Sequence, residues 1–349
     1  MAATTYGVND ALAVKKWAKE LEVEALKKTY FGKFIGTSAN SLIHKKTELK
    51  KNGGDKITFG LRTLASGAGV AGDGVLEGNE ESLTTYSDAV YIDQLRHAHR
   101  TGGRMSEQRV LFNMRSESRD SLSDWWADRM DTAFANQLCG NTGQSDTRYT
   151  GNNAAIAPTT YVYPNAIGSE ANLTSSDTMS LTVIDKAVEK ARTISPMIRP
   201  LRMDGEDMYV AFLHDYQVTS LRTNTSTGQW LDIQKAALSG NGSGKNPIFS
   251  GALGMYNGVV LHRWNRIPTT PSAPSGGGQA RRAVLCGAQA VALAYGSEND
   301  KGRFTWVEKD FDYGNQLGVS AGCIFGMKKT VFNSVDYGVV TMPTYAVAS

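Results

Sequence analysis

Cysteine and histidine are scarce in this chain. Only Cys139, Cys286 and Cys323 occur among 349 residues, and they lie far apart. They show neither the paired spacing of a zinc site nor the density of a disulfide framework, so they suit a reducing compartment. The five histidines leave few candidates for acid–base chemistry at neutral pH.

Long apolar runs and a strong excess of charge are also missing. No run of about 18 apolar residues occurs, which excludes a membrane-spanning helix, and the N-terminus lacks the basic start and apolar core of a signal peptide. We therefore expect a soluble protein without a membrane partner. The formal net charge is only +3, so contact with nucleic acid must depend on local basic clusters.

Proline is scarce, at 9 residues, whereas glycine is abundant, at 36 residues. The glycines concentrate in particular loops. This composition favours long strands and extended hairpins with flexible tips. The length suggests two or three domains.

The 33 residues from Ser106 to Leu138 contain neither proline nor glycine. Ser106 stands where an N-cap belongs, and Gly140 is a natural C-terminal stop. The pattern predicts one continuous helix of roughly 50 Å. Its apolar residues form an i+4 row that winds around the helix, so its two ends are expected to pack on different material.

A second i+4 row on this helix is acidic and consists of Asp120, Asp124 and Asp128. Like charges at this spacing repel by a few tenths of a kcal/mol per pair. Two interpretations stay open. The row is either a solvated polar face, or it meets cations from another segment or from another copy of the chain.

A long hairpin precedes the helix. The alternation in Lys56–Arg62 predicts a strand, and a returning strand is expected from about Leu83 to Arg96. The tip between them is rich in glycine and acidic residues, namely Gly67, Gly69, Gly72, Gly74 and Glu77. Two uncovered strands are only marginally stable in water, and no adjacent segment supplies a third strand, so the hairpin must lie on something else.

Two further features lie ahead of the hairpin. An amphipathic helix is predicted from about Asn9 to Thr29, with Trp17 on its apolar stripe. A basic run follows, with its lysines at Lys45, Lys46, Lys50 and Lys51. This run is either a solvated turn or a contact for phosphate or for an acidic partner.

Three motifs that imitate catalytic or ligand sites fail on their context. Gly67–Gly72 matches a dinucleotide fingerprint, but no helix follows it. Gly318–Gly322 matches a nucleophile elbow, but the last histidine, His262, precedes it, and that order is impossible for the triad. His97 and His99 share one strand face without a convincing third metal ligand. We therefore predict no enzyme activity, no cofactor and no metal site.

After the long helix, the chain mixes helices and strands, which makes the fold class α+β. The order of the parts, a short arm, a long hairpin, a very long helix and a mixed α/β remainder, resembles the tailed-bacteriophage major capsid fold, the Hong Kong-type shell fold, in its N-four-type podophage branch. The resemblance spans essentially the whole chain. It rests on GDKITFGLRTLASGAGVAGDGVLEGNEESLTTYSDAVYIDQLRHAHRTGG, DSLSDWW, NQLCGNTG, GALGMYNGVVLHRW and GMKKTVF.

The resemblance implies a division of the chain into five parts. These are an N-terminal arm (1–43), an extended loop formed by the β-hairpin (44–100), a peripheral domain with a spine helix (101–140), a mixed α/β axial domain (141–335) and a C-terminal strand returning to the peripheral domain (336–349). The implied function is self-assembly into hexamers and pentamers of an icosahedral shell that encloses packaged double-stranded DNA. The implied location is the virion capsid, after assembly in the host bacterial cytoplasm.

The resemblance also implies which residues make contacts. Neighbouring subunits would use Trp17, the glycine-rich tip with Glu77, and the acidic row, with Arg62, Arg96 and Arg100 of an adjacent hairpin as its partners. Packaged DNA would meet basic clusters, nonspecifically and with salt dependence. The candidates for this role are Lys45, Lys46, Lys50 and Lys51, or Arg281 and Arg282.

Other implied partners are a portal, a cement or decoration protein and a scaffolding protein. Scaffolding is expected as a separate protein, because little chain precedes the hairpin. No lysine occurs from Ile57 to Gly103, so closure of the shell is expected to be noncovalent. Two alternatives remain, an encapsulin-like nanocompartment shell and an unrecognised enzyme.

Overall fold

A computed structural model describes most of the chain. The described residues are 28–46, 53–62, 67–111, 113–165, 167–203, 205–224, 252–272, 274, 278–296 and 304–348. The predicted helix from about Asn9 to Thr29, with Trp17, lies almost wholly outside these residues, and Lys50 and Lys51 lie outside them too.

Four α-helices occur in the described part of the chain. They are α1 (Arg104–Arg109), α2 (Met114–Leu138), α3 (Leu181–Thr193) and α4 (Asp215–Thr223). Short 3-10 turns cover Tyr30–Phe34, Thr147–Tyr149 and Glu170–Asn172. None of these helices is both long enough and apolar enough to cross a lipid bilayer.

The prediction of one continuous helix from Ser106 to Leu138 is wrong, because the helix ends at Arg109 and a new helix begins after Asn113. The Asn113 side chain accepts hydrogen bonds from the N–H groups of Arg115 (2.9 Å) and Ser116 (3.4 Å), and so caps a new helix. Ser106 lies inside α1 and is not its N-cap. Helix α2 is therefore about 37 Å long.

The predicted C-terminal stop of this helix is confirmed. Gly140 has a φ of +57°, the left-handed conformation that glycine adopts readily. The Asn141 N–H donates to the Asn136 carbonyl at 2.9 Å, and the Gly140 N–H donates to Gln137 at 3.2 Å. These bonds form a Schellman motif, which satisfies carbonyls at the helix end.

The strands are numbered along the chain. They are β1 (Ile35–Gly36), β2 (Ile43–Lys46), β3 (Lys56–Arg62), β4 (Thr85–Tyr91), β5 (Asp93–Arg100), β6 (Leu201–Met203), β7 (Glu206–Leu213), β8 (Ala252–Tyr256), β9 (Val259–Arg263), β10 (Ala280–Cys286), β11 (Val291–Tyr295), β12 (Phe304–Phe311), β13 (Gln316–Lys329), β14 (Val331–Phe332), β15 (Val335–Asp336) and β16 (Val339–Tyr345).

The first sheet is built around the long strand β13. Its N-terminal half pairs antiparallel with β12 on one side and with β5 on the other, and its C-terminal half pairs with β11. Strand β11 continues through β2 to β1 by parallel pairing. Helix α2 packs across this sheet, where the ring of Trp126 lies 4.9 Å from Phe304 and 5.9 Å from Phe325.

The second sheet has the order β16-β10-β7-β9-β8, with β6 paired to β7. Strand β16 pairs with β10 along its whole length, from Val339 opposite Cys286 to Tyr345 opposite Ala280. The return of the last strand to the peripheral domain stays a prediction. Strands β11, β12 and β13, which fall in the predicted axial segment, lie in the sheet that carries α2.

Two large cores and one small core hold these layers together. The first lies among α2, the turn Tyr30–Phe34 and both sheets, and the second lies between α3 and the second sheet. The third is at the base of the hairpin, where Ile57 and Val90 pack against Ala292 and Ala294 of β11. The hairpin is thus anchored at its base on its own subunit.

The hairpin itself consists of β3 and β4, which pair antiparallel from Lys56 opposite Tyr91 to Arg62 opposite Thr85. The single returning strand predicted from Leu83 to Arg96 is wrong. It is two strands separated by Ile92, and the second of them, β5, hydrogen-bonds to β13 in the first sheet. Strand β4 pairs with β3 and packs on the small core, whereas β5 pairs with β13. The two strands therefore belong to different sheets.

Candidate interaction surfaces

The loop between β3 and β4 is exposed along its described part, residues 67–84. Its conformation depends on glycine, because Gly69, Gly72 and Gly78 have φ values of +72°, +62° and +88°. A side chain is strained in this conformation. The Gly67 N–H donates to the Glu81 carboxylate at 2.7 Å. All five tip residues named from the sequence, Gly67, Gly69, Gly72, Gly74 and Glu77, therefore lie on one exposed loop.

Apolar side chains on this loop were missed by the sequence analysis. Val75, Leu76 and Leu83 are 69%, 61% and 68% exposed. A soluble subunit rarely presents such a group unless it covers another surface. The signal was available, because Val75 and Leu76 interrupt a run of glycine and acidic residues, but a short apolar pair in a polar loop has no periodicity.

All the charged residues of this loop are acidic. It carries Asp73, Glu77, Glu80 and Glu81, and no lysine or arginine occurs between residues 63 and 95. Any surface that covers this loop would therefore be expected to provide cations together with apolar groups.

The acidic row on α2 meets cations of its own chain. Asp124 lies 2.7 Å from the Nζ atom of Lys28, Asp128 pairs with Arg266, and Asp120 lies 2.8 Å from Arg119. Lys28 and Arg266 come from distant segments, so the row helps to join parts of one subunit. These pairs are substantially exposed, and pairs of this kind contribute at most about 1 kcal/mol each.

The arginines proposed as partners of this row lie elsewhere. Arg62 is exposed on the hairpin, whereas Arg96 and Arg100 belong to β5 in the first sheet. Arg100 donates to the Gln316 side chain, and its guanidinium lies 4.4 Å from the centroid of the Phe311 ring. Their contact with a neighbouring subunit stays a prediction.

Another aspartate on α2 has a role that the sequence analysis missed. Asp131 is 6% exposed and accepts hydrogen bonds from the N–H groups of Tyr30 (3.0 Å) and Phe31 (3.4 Å). It therefore fastens the turn Tyr30–Phe34 to the helix. Desolvation by burial raises the pKa of Asp131, although the two backbone hydrogen bonds oppose the shift.

The prediction that Arg282 faces DNA is wrong, because its side chain is only 6% exposed. The guanidinium forms two hydrogen bonds with Glu170, at 2.6 and 2.8 Å. It also donates to the carbonyls of Cys139 (3.0 Å) and Gly140 (2.6 Å) at the end of α2. Arg282 therefore stabilises the end of the helix inside the subunit.

Arg281 is half-buried and is also engaged within the chain. Its guanidinium donates to the carbonyl of Ile267 and lies 5.5 Å from the centroid of the Tyr216 ring. These contacts make it a poor candidate for DNA contact. Desolvation by burial lowers the pKa of this guanidinium.

The basic run is partly a strand. Lys45 and Lys46 lie on β2, where their Nζ atoms are each 5.7 Å from a ring centroid, of Tyr295 and of Phe59 respectively. The interpretation of the run as a solvated turn is therefore wrong for these two lysines. Contact of this run with DNA stays a prediction.

A second buried ion pair joins the end of β13 to the end of β15. The Nζ atom of Lys329 lies 2.6 Å from Asp336 Oδ1, and both side chains are fully buried. The other oxygen of Asp336 accepts a hydrogen bond from the Thr159 N–H at 2.8 Å. Desolvation by burial lowers the pKa of Lys329. Neither residue was named in the sequence analysis.

His97 and His99 have structural contacts. The His97 ring stacks on Trp125 at 4.5 Å, and His99 Nε2 lies 3.2 Å from Ser121 Oγ. Desolvation by burial lowers the pKa of His97, with smaller contributions from His99 and Arg129. In the part of the chain that the structure describes, no group of three histidine, cysteine or acidic side chains could hold a metal ion.

Comparisons with known proteins agree with one another. The chain matches the phage capsid protein family over residues 5–348. It is 31% identical over 370 residues to the major capsid protein of Pseudomonas phage KPP25, covering 93% of each chain. Among solved structures, the capsid of Ralstonia phage GP4 is similar, with a TM-score of 0.80 and 39% identity over 99% of both chains.

A more distant solved structure supports the fold alone. The cyanophage Pam1 capsid asymmetric unit matches with a TM-score of 0.75 at 21% identity, covering 93% of this chain and 94% of the other. The mixed arrangement of helices and sheets described above is thus shared with phage capsid subunits of low sequence similarity.

Proposed function

Since the chain belongs to the phage capsid protein family, we infer that it functions through surfaces that contact other copies of the same chain. It is the major capsid protein of a bacteriophage and forms the icosahedral shell of the virion. The observation that carries this conclusion is the match over residues 5–348, joined to 39% identity and a TM-score of 0.80 over 99% of a solved capsid chain.

We propose that hexamers and pentamers form through the loop of residues 67–84, which lies across a neighbouring subunit. Its exposed Val75, Leu76 and Leu83 support this role, because burying such side chains supplies the main driving force for association. Obligate interfaces of this kind commonly bury more than about 2,000 Å².

We propose that the chain has a Hong Kong-type arrangement of the N-four-type podophage branch. It would comprise an arm, an extended loop, a peripheral domain around α2 and an axial domain around α3. The sheet pairing favours placing β5 and β11 to β13 with the peripheral part, because they share the first sheet with α2. It favours placing β16 with the axial part.

We propose further partners. The absence of lysine between Ile57 and Gly103 favours noncovalent closure, with a cement protein as reinforcement. A separate scaffolding protein, a portal and assembly in the host cytoplasm follow from the resemblance alone. Packaged DNA would meet Lys45, Lys46, Lys50 and Lys51 through nonspecific, salt-dependent contacts.

The known relatives favour a structural protein over an enzyme, and a viral shell over a cellular nanocompartment. Expression of the full chain, followed by electron microscopy and sedimentation, tests the function. We expect closed shells, or rings of five and six subunits, whose amount rises with protein concentration. A compact monomer at every concentration would overturn the proposal, and particles that co-purify with enzyme cargo would favour the nanocompartment.

A further inference from the structure

A groove runs along strand β13 on the face of the first sheet that points away from α2. Strand register places Gly318, Ser320 and Gly322 on this outer face, whereas the alternating residues Val319 and Ala321 are buried in the core. A Cβ atom at Gly318 would lie 2.6 Å from the Phe311 ring, and one at Gly322 would lie 2.8 Å from Arg96 Cγ. Glycine at these two positions therefore lets the Phe311 ring and the Arg96 side chain lie directly against the strand.

The walls of this groove combine apolar and basic groups. Ala98 and Val307 flank the floor, and Val307 is 53% exposed. At one end, the Phe311 ring lies beneath two cations, with Lys309 Nζ at 5.1 Å and the Arg100 guanidinium at 4.4 Å from its centroid. The groove measures about 340 Å³, and no carboxylate occurs among the described residues that line it.

The loop of residues 67–84 is complementary to this groove both in its apolar side chains and in its charge. It presents the apolar pair Val75 and Leu76 between acidic residues, of which Asp73 and Glu77 are nearest in sequence. Opposite charges around an apolar contact favour one orientation and reject wrong partners. Both Leu76 and Val307 remain exposed within one chain, so the loop does not occupy the groove of its own subunit.

We propose that the groove receives the loop tip, Asp73–Glu77, of a second copy of this chain. The inference rests on the proposed function and adds the receiving surface that the function leaves unassigned. DNA is the competing occupant, because its phosphates would also be attracted by Arg100 and Lys309. The apolar walls at Ala98 and Val307 favour the protein loop, since phosphate gains nothing from apolar groups.

Disulfide trapping tests the contact directly. The variant carrying Leu76→Cys and Val307→Cys is assembled and oxidised, and the products are separated on a non-reducing denaturing gel. The native cysteines, Cys139, Cys286 and Cys323, are all buried, and they should not interfere. We expect a ladder of covalently linked subunits. The matched control pairs Leu76→Cys with Met255→Cys, which is also exposed (51%) but lies outside the groove, and it should give no ladder.

Charge reversal gives a second measurement that does not depend on the disulfide. Lys309→Glu should raise the concentration needed for assembly roughly twofold to fivefold, the range expected for an exposed ion pair. Adding Glu77→Lys should recover part of the loss. Arg202→Glu, at an exposed cation of the second sheet, is the control and should change little.

The outcomes separate this inference from the function itself. If the unmodified chain forms no shells or rings, the proposed function fails. If it assembles but neither the disulfide nor the charge reversal has an effect, the groove assignment is overturned and the function stands. The assignment is overturned equally if Lys309→Glu shells assemble normally and only retain less DNA.

Discussion

The guanidinium of Arg282 and the carboxylate of Glu170 form a bidentate ion pair in the interior of the subunit, although 112 positions separate them in sequence. The same guanidinium donates to the carbonyls of Cys139 and Gly140, the two residues that follow α2. This pair therefore joins the end of α2 to strand β10 and to the 3-10 turn Glu170–Asn172.

Breaking this pair on one side should be costly. We expect Arg282→Met to lower the free energy of unfolding by about 3–5 kcal/mol, because Glu170 is left buried and unpaired. Thermal or urea unfolding of the purified protein measures the loss. Adding Glu170→Met should cost less than the sum of the two single changes, since the unpaired charge is then removed. Additive losses would show that the two groups are not coupled.

The break ahead of α2 can be tested at Asn113. Asn113→Ala should reduce stability by about 1 kcal/mol, because two N–H groups lose their acceptor, whereas Asn113→Gly should cost only a few tenths. Unfolding midpoints and helical content by circular dichroism give the readout. Ser106→Ala is the control and should stay within about 0.5 kcal/mol of the parent. The reverse ranking would favour a continuous helix that starts at Ser106.

Gly140 should tolerate no side chain. A Cβ atom there would lie 2.5 Å from the Ile156 carbonyl oxygen and 2.6 Å from Pro158, and φ is positive. We expect Gly140→Ala to cost more than the roughly 1–2 kcal/mol of the left-handed conformation alone. Gly78→Ala is the matched control, because its φ is also positive but no atom lies within 4 Å. Equal losses in unfolding experiments would contradict the packing argument.

The raised pKa of Asp131 predicts a dependence on pH. Burial favours the neutral carboxyl group, so the folded state binds a proton at higher pH than the unfolded state. The stabilising contribution of this group is therefore complete below its unfolded pKa and is lost as pH rises through the folded pKa. We expect the stability of the parent relative to Asp131→Asn to increase as pH falls from 7 toward 4. Melting temperatures of both proteins across this range test the sign, and a difference independent of pH would refute it.

Part of this structure follows from local sequence. Alternation identified β3, and Gly140 marked the end of α2, because each signal depends on neighbouring residues. The start of α2 was missed because Asn113 caps through its side chain in a run without proline or glycine. The return from the loop tip was predicted as one strand, since only the pairing of β4 with β3 and of β5 with β13 separates the two strands.

In the candidate interaction surfaces, too, local features could be predicted from the sequence and features that depend on distant residues could not. The glycine-rich loop could be located from composition, and its exposure was expected. The burial of Arg282 could not be predicted, because nothing in the local sequence distinguishes a buried arginine from an exposed one until its distant partner Glu170 is known. The groove could not be predicted from the Gly318–Gly322 motif, whose spacing matches a nucleophile elbow. This segment lines a groove only because β5 and β12 pair with it on either side.

Strand β13 has a mechanical consequence for a closed shell. Its C-terminal half pairs with β11, on which the base of the hairpin rests, and its N-terminal half forms the floor of the groove. The base of the hairpin and the proposed receiving groove of each subunit are therefore connected through one continuous strand, at a fixed separation. In the proposed rings of five and six subunits, we therefore expect the loop, with its positive-φ glycines, to absorb the difference in angle between neighbours while the first sheet keeps its shape.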